Sequence, residues 1–505
     1  MAENANFYLQ LQKSFHTANS RACISGPDFT ELSYSELDSL TAQTANLLKE
    51  LGIRPGARVL VQTPKTPLAV VLYLACLRSG AIYVPLNSAY TNEELDYFIA
   101  DTEPALFVYD PAQGEALAPL FARHNIPTVL ELAEDDSGSL FNSLIDRPAI
   151  HQTVPVDADD IAVIIYTSGT TGKPKGAMLS HGNLCSNALS LFSLWDWRAD
   201  DVLIHALPIF HVHGLFVALH LALLGGSNML FLSRFNVEQV IELIPRATVL
   251  MGVPTFYTRL LQQESLTPAL CKNMRLFVSG SAPLLEETFN EFAARSGHRI
   301  LERYGMSETG MLMSNPLDGD RVPGTVGFAL PDVSYRVCDD EGNELSTDSI
   351  GTLQVKGPNV FKGYWRNPEK TRQEFADGYF ITGDLVNIDD QDRVSIVGRN
   401  KDLIISGGYN VYPKEIELVL DEQAAVQESA VIGVPHPDFG EAVVAVLVPS
   451  SAQKPDTQEL INTLKAQLAS YKVPKRIVIK KELPRNTMGK VQKNLLRDEY
   501  AQLFS

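Results

Sequence analysis

The residues with the clearest chemistry form one loop, Tyr166-Thr-Ser-Gly-Thr-Thr-Gly-Lys-Pro-Lys-Gly176. It follows a continuous apolar, β-branched run at residues 161–166, which is typical of a buried central strand. Glycines let backbone N–H groups approach an anion, hydroxyls can donate to phosphate oxygens, and lysines add charge. The pattern predicts a polyphosphate site rather than a flexible surface loop. Its expected binding residues are Thr167, Ser168, Gly169, Thr170, Thr171, Gly172, Lys173 and Lys175.

The loop differs from the Walker-type phosphate loop. That motif needs four residues between its first glycine and the Gly-Lys pair, followed by Ser or Thr. Here only two threonines separate Gly169 from Gly172, and Pro174 follows Lys173. The phosphate chemistry is therefore expected to belong to another class of nucleotide-using protein.

The elements that position this loop predict an α/β fold with mainly parallel sheets, since apolar strand-like runs alternate with amphipathic helical runs. Strands are expected at residues 58–62, 161–166, 248–251 and 275–278, and a buried helix at 68–80 ends at a glycine cap. From about 322 to 397, short alternating strands between turn residues predict an antiparallel or barrel-like subdomain.

The charged stretch Gly398-Arg-Asn-Lys-Asp402 is a linker candidate, and a smaller α/β unit follows it. There a strand is expected at 403–405 and a turn at Gly407-Gly408. A helix should open at Pro413, because proline is favoured at the first helical position.

Composition narrows the class of protein. A chain of 505 residues suggests roughly three domain-sized units. A net charge of −18 disfavours nucleic-acid binding. Five scattered cysteines predict a reduced, cytoplasmic protein without a disulfide framework or structural zinc. The start MAENANFYLQ does not have the pattern of a secretory signal, and the longest apolar runs are about half a bilayer span, so no membrane partner is expected.

With four later blocks, the loop resembles the signature of the adenylate-forming superfamily, which includes acyl-CoA synthetases, luciferases and peptide-synthetase adenylation domains. The later blocks are Tyr304-Gly-Met-Ser-Glu308, Thr382-Gly-Asp384, Gly398-Arg-Asn-Lys-Asp402 and Pro484-Arg-Asn-Thr-Met-Gly-Lys490. The resemblance implies a large N-terminal domain (1–398), a hinge (399–402) and a small mobile C-terminal domain (403–505). It also implies two half-reactions. A carboxylate attacks the α-phosphorus of ATP and expels pyrophosphate, and a thiol then expels AMP.

The resemblance also assigns roles. Glu308 would hold Mg²⁺, Tyr304 would lie against adenine, and Asp384 would accept from the ribose hydroxyls. Arg399 would reach the ribose or phosphate, and Lys490 would bridge the acid and the α-phosphate. Thr171 and Glu308 join Lys490 as expected catalytic residues. The remaining nucleotide or coenzyme A contacts are expected from Ser281, Ala282, Pro283, Glu302, Arg303, Gly305, Met306, Ser307, Gly407, Gly408 and Tyr409.

Two poses are implied for the small domain, which would rotate about Asp402. Lys490 belongs to the adenylation pose, and the Ser406–Asn410 loop approaches the thiol channel in the other. No carrier-protein segment follows the Lys490 block, which favours free coenzyme A as the acceptor. Acylation of Lys490 would silence the first half-reaction, so a lysine acyltransferase or deacylase is an expected partner. The oligomeric state is expected to be monomeric or weakly associated.

The acid is indicated by segments such as LIHALPIFHVHGLF, ATVLMGVPTFYTRLL and MRLFVSGSAPLL, which are similar to the malonate-activating branch of the family. This implies malonate as substrate, with methylmalonate slower. Arg259 is the expected partner of the second carboxylate, the alternative being a surface arginine paired with an acid such as Glu264. His211, His213 and Ser279 are the other acid-site candidates.

Three other functions stay open at this level. They are a synthetase for another short, medium-chain or aryl acid, a luciferase-type oxygenase, and a nucleotide-binding protein without catalysis. The last would be expected to lack Lys490 or Glu308, and both are present.

Overall fold

The computed structural model describes residues 4–167, 174–406, 409–437, 439–450, 455–468, 470–486 and 489–504. The chain divides into two compact units. The first contains Met1–Pro323, Gly327–Ser334 and Lys356–Phe380, and the second contains Gly324–Val326, Tyr335–Val355 and Ile381–Ser505. The domain boundaries expected at residues 398 and 403 stay a prediction.

The first unit contains the sheet that leads into the phosphate loop. Its strands run in the order Val129–Glu131, Leu106–Tyr109, Arg58–Gln62, Ile82–Pro85, Ile161–Thr167 and Lys175–Ser180. Neighbours are parallel except for the last pair, which is antiparallel. The predicted strand at 58–62 is confirmed at the same bounds. Its core-facing residues pack with apolar side chains such as Phe98, Phe107 and Ile164.

A second, longer sheet lies in the same unit. Its order is Phe328–Ala329, Gly310–Ser314, Leu301–Met306, Leu276–Ser279, Val249–Gly252, Val202–His205, Asn228–Phe231, Ala22–Ser25 and Leu32–Ser33. The strands from Ala22–Ser25 to Leu301–Met306 pair in parallel, so their carboxyl ends share one edge. Edges of this kind gather functional side chains in α/β proteins. The α/β prediction with mainly parallel sheets is therefore confirmed.

The helices of the first unit cover these sheets. They are Phe7–Ala18, Tyr34–Glu50, Pro67–Ser79, Asn92–Thr102, Gly114–His124, Ser139–Asn142, His181–Leu194, His213–Ala218, Leu219–Gly225, Val237–Leu243, Pro254–Leu261, Glu286–Ser296 and Pro368–Gln373, with short 3₁₀ turns at Pro111–Gln113 and Ile244–Arg246. The predicted apolar helix is Pro67–Ser79, and all of its residues are buried. Thr66 caps its start, and Gly80 ends it at φ 70°, a conformation that favours glycine.

The segment predicted as barrel-like forms a small sheet. Its strands are Ser334–Cys338, Gly351–Lys356, Tyr379–Ile388, Val394–Arg399 and the short Phe375–Ala376. Strand Tyr379–Ile388 pairs antiparallel with Val394–Arg399, and this pairing places Asp384 opposite Arg399. A 3₁₀ turn, Asn400–Asp402, follows at the predicted linker.

The C-terminal part of the second unit is a separate α/β layer. Its strands are Tyr409–Val411, Ile404–Ser406, Gly440–Pro449, Val426–His436 and Arg476–Ile479, and its helices are Pro413–Asp421, Thr457–Gln467 and Lys493–Tyr500. The helix opens at Pro413 as predicted. Among the described residues, no helix is both long and apolar enough to cross a bilayer.

Candidate active site

The two strands that flank the predicted phosphate loop form an antiparallel pair. Thr167 lies opposite Lys175 at the mouth of this pair, so both ends of the loop are fixed by backbone hydrogen bonds. The loop residues Ser168, Gly169, Thr170, Thr171, Gly172 and Lys173 lie outside the described residues. Their phosphate contacts therefore stay a prediction.

Glu308 lies in a buried acidic network beside Lys175. The Tyr364 hydroxyl lies 3.1 Å from Oε1 of Glu308 and 2.5 Å from Oε2 of Glu374. Lys175 pairs with Glu374 at 3.2 Å, and its ammonium lies 4.5 Å from the centroid of the Tyr364 ring. This network connects a residue of the phosphate-loop segment with the predicted metal ligand, and the sequence pattern did not single out Tyr364 or Glu374.

The two carboxyls of this network differ electrostatically. Burial raises the pKa of Glu308 above its ordinary value. Burial also acts to raise the pKa of Glu374, but hydrogen bonds from Tyr364 and Lys370 and the charge of Lys175 outweigh it and lower that pKa. Glu308 is thus the carboxylate whose charge is least compensated by the protein, and Glu374 is neutralised by lysines.

A turn positions Glu308. Strand Leu301–Met306 pairs antiparallel with Gly310–Ser314, and the Thr309 N–H donates to the Met306 carbonyl. Gly305 permits this close return, because a Cβ there would lie 2.1 Å from the Gly310 carbonyl oxygen. The predicted nucleotide residues Glu302, Arg303, Tyr304, Gly305, Met306 and Ser307 all belong to this strand and turn.

A second cluster gathers at the carboxyl ends of neighbouring strands. Ser279 ends strand Leu276–Ser279, and Arg303 lies on the adjacent strand. The guanidinium lies against Gly280, since a Cβ there would be 2.4 Å from Nη1 of Arg303. His213 approaches from the π-helix His213–Ala218, with Nδ1 3.4 Å from the Ser281 hydroxyl. π-Helical turns are rare and frequent at functional sites.

This cluster, the Ser279–Arg303–His213 cluster, is buried and rich in unused donors. The three side chains are at most 3% exposed. Within the described residues, Oγ of Ser279, Nε2 of His213, and Nε and Nη2 of Arg303 have no hydrogen-bond partner. Buried polar groups in native proteins are nearly always paired, so these unpaired atoms on neighbouring elements indicate a bound polar ligand.

Electrostatics specify the charge of that ligand. Burial lowers the pKa of Arg303 to about 9 although the Tyr257 and Glu302 side chains act to raise it, so its buried positive charge is only partly compensated. Burial and the nearby charge of Arg303 lower the pKa of His213 well below its ordinary value, so its imidazole is neutral. A buried guanidinium near a neutral imidazole, with a hydroxyl at the end of the neighbouring strand, suits a carboxylate, which accepts hydrogen bonds.

Arg259, whose expected role of holding the second carboxylate stays a prediction, lies on a different element. It is exposed in the last turn of helix Pro254–Leu261, and its guanidinium lies 5.9 Å from the centroid of the Phe235 ring. The family resemblance implied a nucleotide or coenzyme A contact for Arg303, and no contact with the acid. His211 is half-buried, and its Nδ1 accepts from the His213 backbone N–H at 3.3 Å.

The segment Ser281-Ala282-Pro283 continues from this strand end. Ser281 has a positive φ of 71°, a conformation that is uncommon for residues other than glycine, asparagine and aspartate. The following Leu284 N–H donates to Oε1 of Glu302 at 3.2 Å, which ties this segment to strand Leu301–Met306. The structure thus brings these two predicted nucleotide segments together.

The other predicted residues lie in the second unit. Asp384 is almost fully buried, and its Oδ1 lies 2.7 Å from Nε of Arg399. Asp402 pairs with Arg497 of the last helix at 2.9 Å. Lys490 is exposed on a tight turn, where its backbone N–H donates to Oδ1 of Asn486. Gly407, Gly408 and the side chain of Tyr409 lie outside the described residues.

Comparison with known proteins settles the family. The sequence profile described as AMP-binding enzyme matches residues 11–365, and that of the AMP-binding enzyme C-terminal domain matches residues 415–490. The chain belongs to the AMP-binding enzyme family. The family resemblance inferred from the five sequence blocks is therefore confirmed, as is its fold class of a large α/β domain with a small C-terminal domain.

Individual members of the AMP-binding enzyme family are similar over most of the chain. The crystal structure of ATP-bound MatB from Rhodopseudomonas palustris is 52% identical, with a TM-score of 0.97 and 100% of each chain covered. The malonate–CoA ligase of Arabidopsis thaliana is 35% identical over 88% of this chain and 78% of its own length. A feruloyl-CoA synthase from an Amycolatopsis species is 34% identical over 93% of this chain and 94% of its own.

AMP-binding enzymes use ATP, whose usual partner is Mg²⁺, and the acidic network fits that ion. Mg²⁺ prefers oxygen ligands and is commonly held by one or two carboxylates together with substrate phosphates and water. Among the described residues, no group of three or more His, Cys, Asp or Glu side chains could hold a metal by itself. Glu308 lies beside the strand that follows the phosphate loop, and the protein compensates its charge less than that of Glu374. One such carboxylate can hold Mg²⁺ together with the phosphates of the substrate.

Replacing Glu308 by glutamine is expected to separate activity from stability. ATP-dependent turnover should fall about a hundredfold, because the neutral amide cannot hold a cation at the phosphates. The melting temperature at neutral pH should rise. A carboxyl whose pKa is raised by folding is destabilising when ionised, so this penalty is present above its folded pKa and vanishes in acid.

Thermal melts at neutral and acid pH, with pyrophosphate-release assays across Mg²⁺ concentrations, check both parts. Asp390→Asn, at an exposed carboxylate, is the matched control and should change neither. A variant with normal Mg²⁺ dependence would contradict the assignment of Glu308.

Proposed function

We propose that this chain ligates malonate to coenzyme A at the expense of ATP, through a malonyl-adenylate, and that methylmalonate is a slower substrate. The observation that carries the proposal is the Ser279–Arg303–His213 cluster, a buried cationic site with unused donors. The AMP-binding fold supplies the adenylation chemistry. Similarity to MatB and to a malonate–CoA ligase supports the choice of acid.

The proposed reaction has two balanced steps. One malonate oxygen attacks the α-phosphorus of ATP, a new P–O bond forms, and pyrophosphate leaves. The coenzyme A thiol, as its thiolate, then attacks the acyl carbonyl, and AMP leaves with the electron pair of the broken C–O bond. The products are malonyl-CoA, AMP and pyrophosphate. Mg²⁺, when bound, would neutralise phosphate charge.

The residues of this chain have distinct proposed tasks in the first step. The loop 168–173 and Lys175 would hold the phosphates, Tyr304 the adenine, and Asp384 with Arg399 the ribose. Lys490 would approach both the attacking carboxylate and the α-phosphate, so that negative charge developing between them meets a cation. The catalytic role of Thr171 would be to hold phosphate oxygens through its hydroxyl.

The cluster explains why a dicarboxylic acid is favoured. The carboxylate that does not react would accept from Arg303, Ser279 and His213, which compensates a charge that the free protein keeps buried. A monocarboxylic acid of similar length leaves those donors unpaired in a desolvated site. Sites built to hydrogen-bond a substrate group reject analogues that lack it by factors of about ten thousand.

For the second step, we propose rotation of the C-terminal domain about Asp402. The 3₁₀ turn Asn400–Asp402 is short, and short turns at element ends commonly absorb such changes in φ and ψ. The loop 406–410 would then serve the thiol channel. The domain limits of 1–398 and 403–505 belong to this proposal.

We also propose a compartment, a regulatory partner and an oligomeric state for the protein. The five free cysteines, four of them buried, accord with a reducing compartment such as the cytoplasm. Exposure of Lys490 accords with a lysine acyltransferase or deacylase as a regulatory partner. A monomer or weak oligomer is the proposed state.

A carboxylic-acid panel tests the proposed function. With ATP and coenzyme A, malonate should give AMP release at least about a thousandfold more efficiently than acetate or butyrate, with methylmalonate in between. Ferulate tests the aryl-acid alternative, and omission of coenzyme A should leave malonate-dependent pyrophosphate exchange intact. Faster turnover with any monocarboxylic acid would overturn the choice of malonate while leaving the family assignment untouched.

A further inference from the structure

Lys65 is a partly buried lysine for which the proposed mechanism has no use. It lies between strand Arg58–Gln62 and Thr66, the cap of helix Pro67–Ser79. Its ammonium donates to the carbonyls of His205 at 2.7 Å and Leu232 at 2.6 Å, and lies 3.0 Å from Nδ1 of His205. The Phe231 ring centroid is 4.1 Å away. All three hydrogen-bond partners are neutral, and burial lowers the pKa of Lys65 well below its ordinary value although the charge of Asp28 acts to raise it, so neutral hydrogen-bond partners rather than a direct ion pair position this side chain.

The geometry fixes the tautomer of His205. Its Nε2 lies 3.0 Å from the Gly214 carbonyl oxygen, which can only accept, so Nε2 carries a proton. Burial and the neighbouring Lys65 charge lower the pKa of His205 well below its ordinary value, so the ring is neutral. Nδ1 is therefore an acceptor, and the ammonium of Lys65 donates to it.

The Gly214 carbonyl is a structural junction. It also accepts the Leu219 N–H, which is the i→i+5 hydrogen bond that defines the π-helix His213–Ala218. The chain is tight at this point, because a Cβ on Gly214 would lie 2.0 Å from the Pro208 carbonyl oxygen. The residue just before this junction is His213, whose imidazole belongs to the Ser279–Arg303–His213 cluster.

We propose that Lys65 is a positioning residue for the acid subsite and acts through His205 and the Gly214 carbonyl to hold the imidazole of His213. The hydrogen bonds run from Lys65 to His205 to Gly214, and they connect the first sheet's strand end with the π-helix. The role in malonate recognition rests on the proposed function. The hydrogen bonds from Lys65 to His205 and from His205 to Gly214 are features of the structure and do not depend on the proposed function.

Kinetics of two variants test the proposal. Lys65→Met removes the ammonium while keeping a long side chain, and His205→Asn keeps an acceptor near Lys65 while removing the donor to Gly214. Each should raise the KM for malonate about tenfold, the size expected for losing one hydrogen bond involving a charged group. The KM for ATP should stay within about twofold. The double variant should be no worse than either single one, because both break the same chain of hydrogen bonds.

Histidine NMR supplies a readout that needs no substrate. In the ¹⁵N-labelled wild-type protein, His205 should show a proton on Nε2 and an unprotonated Nδ1. Lys65→Met should shift the ring signals of both His205 and His213. Lys49→Met, at an exposed lysine, is the matched control and should shift neither. If Lys65→Met folds poorly, His205→Asn carries the same test, since it leaves Lys65 and its two carbonyl partners in place.

The outcomes distinguish the proposed malonate ligation from the positioning role of Lys65. Wild-type protein without malonate activity overturns the proposed function, and the NMR result still decides whether Lys65 orders His205 and His213. Unchanged His213 signals in Lys65→Met overturn the positioning role. An equal rise in the KM values for malonate and ATP, or additive losses in the double variant, overturns it as well.

Discussion

Replacing Arg303 by methionine is expected to lower kcat/KM for malonate by about a thousandfold. The loss corresponds to about 4 kcal/mol, the usual cost of removing one partner of a buried, hydrogen-bonded charge pair. Methionine is uncharged and matches the aliphatic stem of arginine, so the surrounding side chains should keep most of their packing. Pyrophosphate-exchange assays with varied malonate and fixed ATP measure the effect, and the KM for ATP should change little.

The same variant should be more stable than the wild type in the absence of substrate. Burial lowers the pKa of Arg303 to about 9, so its protonated form is destabilised by folding at every pH below that value. Removing the charge removes this penalty at neutral pH. A higher melting temperature together with lost malonate activity is the signature of a binding site whose charge opposes stability.

Arg259→Leu is the matched control, because Arg259 was the arginine that the sequence favoured. The side chain is exposed beside Phe235, so its loss should change kcat/KM for malonate by less than about threefold. The reverse result, with Arg259→Leu inactive and Arg303→Met active, would return the second carboxylate to Arg259. Butyrate activity should be unaffected by Arg259→Leu and relatively improved in Arg303→Met.

Sequence patterns predicted the parts of the fold where burial constrains residue type. Strand Arg58–Gln62 and helix Pro67–Ser79 are buried along nearly all of their length, so their sequences are apolar runs bounded by polar or turn residues. The return strand Lys175–Ser180 was not predicted. It starts with Lys-Gly, which is typical of a loop, and becomes a strand only because it pairs with Ile161–Thr167.

Residues of the candidate site were predictable where they are close together in the sequence. The turn that presents Glu308 is local, and its residues are adjacent in the chain. Tyr364 and Glu374 lie far along the chain from Glu308 and Lys175, and no period or spacing connects them. Arg303 was expected among the nucleotide contacts and Arg259 at the acid, because the sequence does not show which strands are neighbours. Arg259 lies on a helix that follows strand Val249–Gly252, whereas Arg303 lies within strand Leu301–Met306, which pairs with the strand that ends at Ser279.

Lys490→Ala is expected to abolish the first half-reaction, lowering malonate-dependent pyrophosphate exchange by about a thousandfold or more. The proposed task of this ammonium is to stabilise charge that develops between the acid and the α-phosphate, and losses of such groups typically cost about a hundred- to a thousandfold each. Melting should be unchanged, because the side chain is exposed and the turn is held by backbone contacts of Asn486.

The second half-reaction separates this role from a general loss of function. Synthetic malonyl-adenylate supplied with coenzyme A should be converted by Lys490→Ala at a rate within about threefold of the wild type, because Lys490 belongs to the adenylation pose of the proposed two-pose cycle and has no proposed task in the second step. Lys481→Ala, at another exposed lysine of the same unit, is the control and should leave both steps intact.

A comparison of Arg303→Met with Lys490→Ala tests both assignments. Arg303→Met should fail with malonate whichever half-reaction is measured, since the second carboxylate is bound in both, whereas Lys490→Ala should fail only before the adenylate has formed. Equal loss of both half-reactions in Lys490→Ala would mean that its turn, between Arg485 and Val491, supports the whole C-terminal layer rather than one step. Normal pyrophosphate exchange would remove Lys490 from the mechanism.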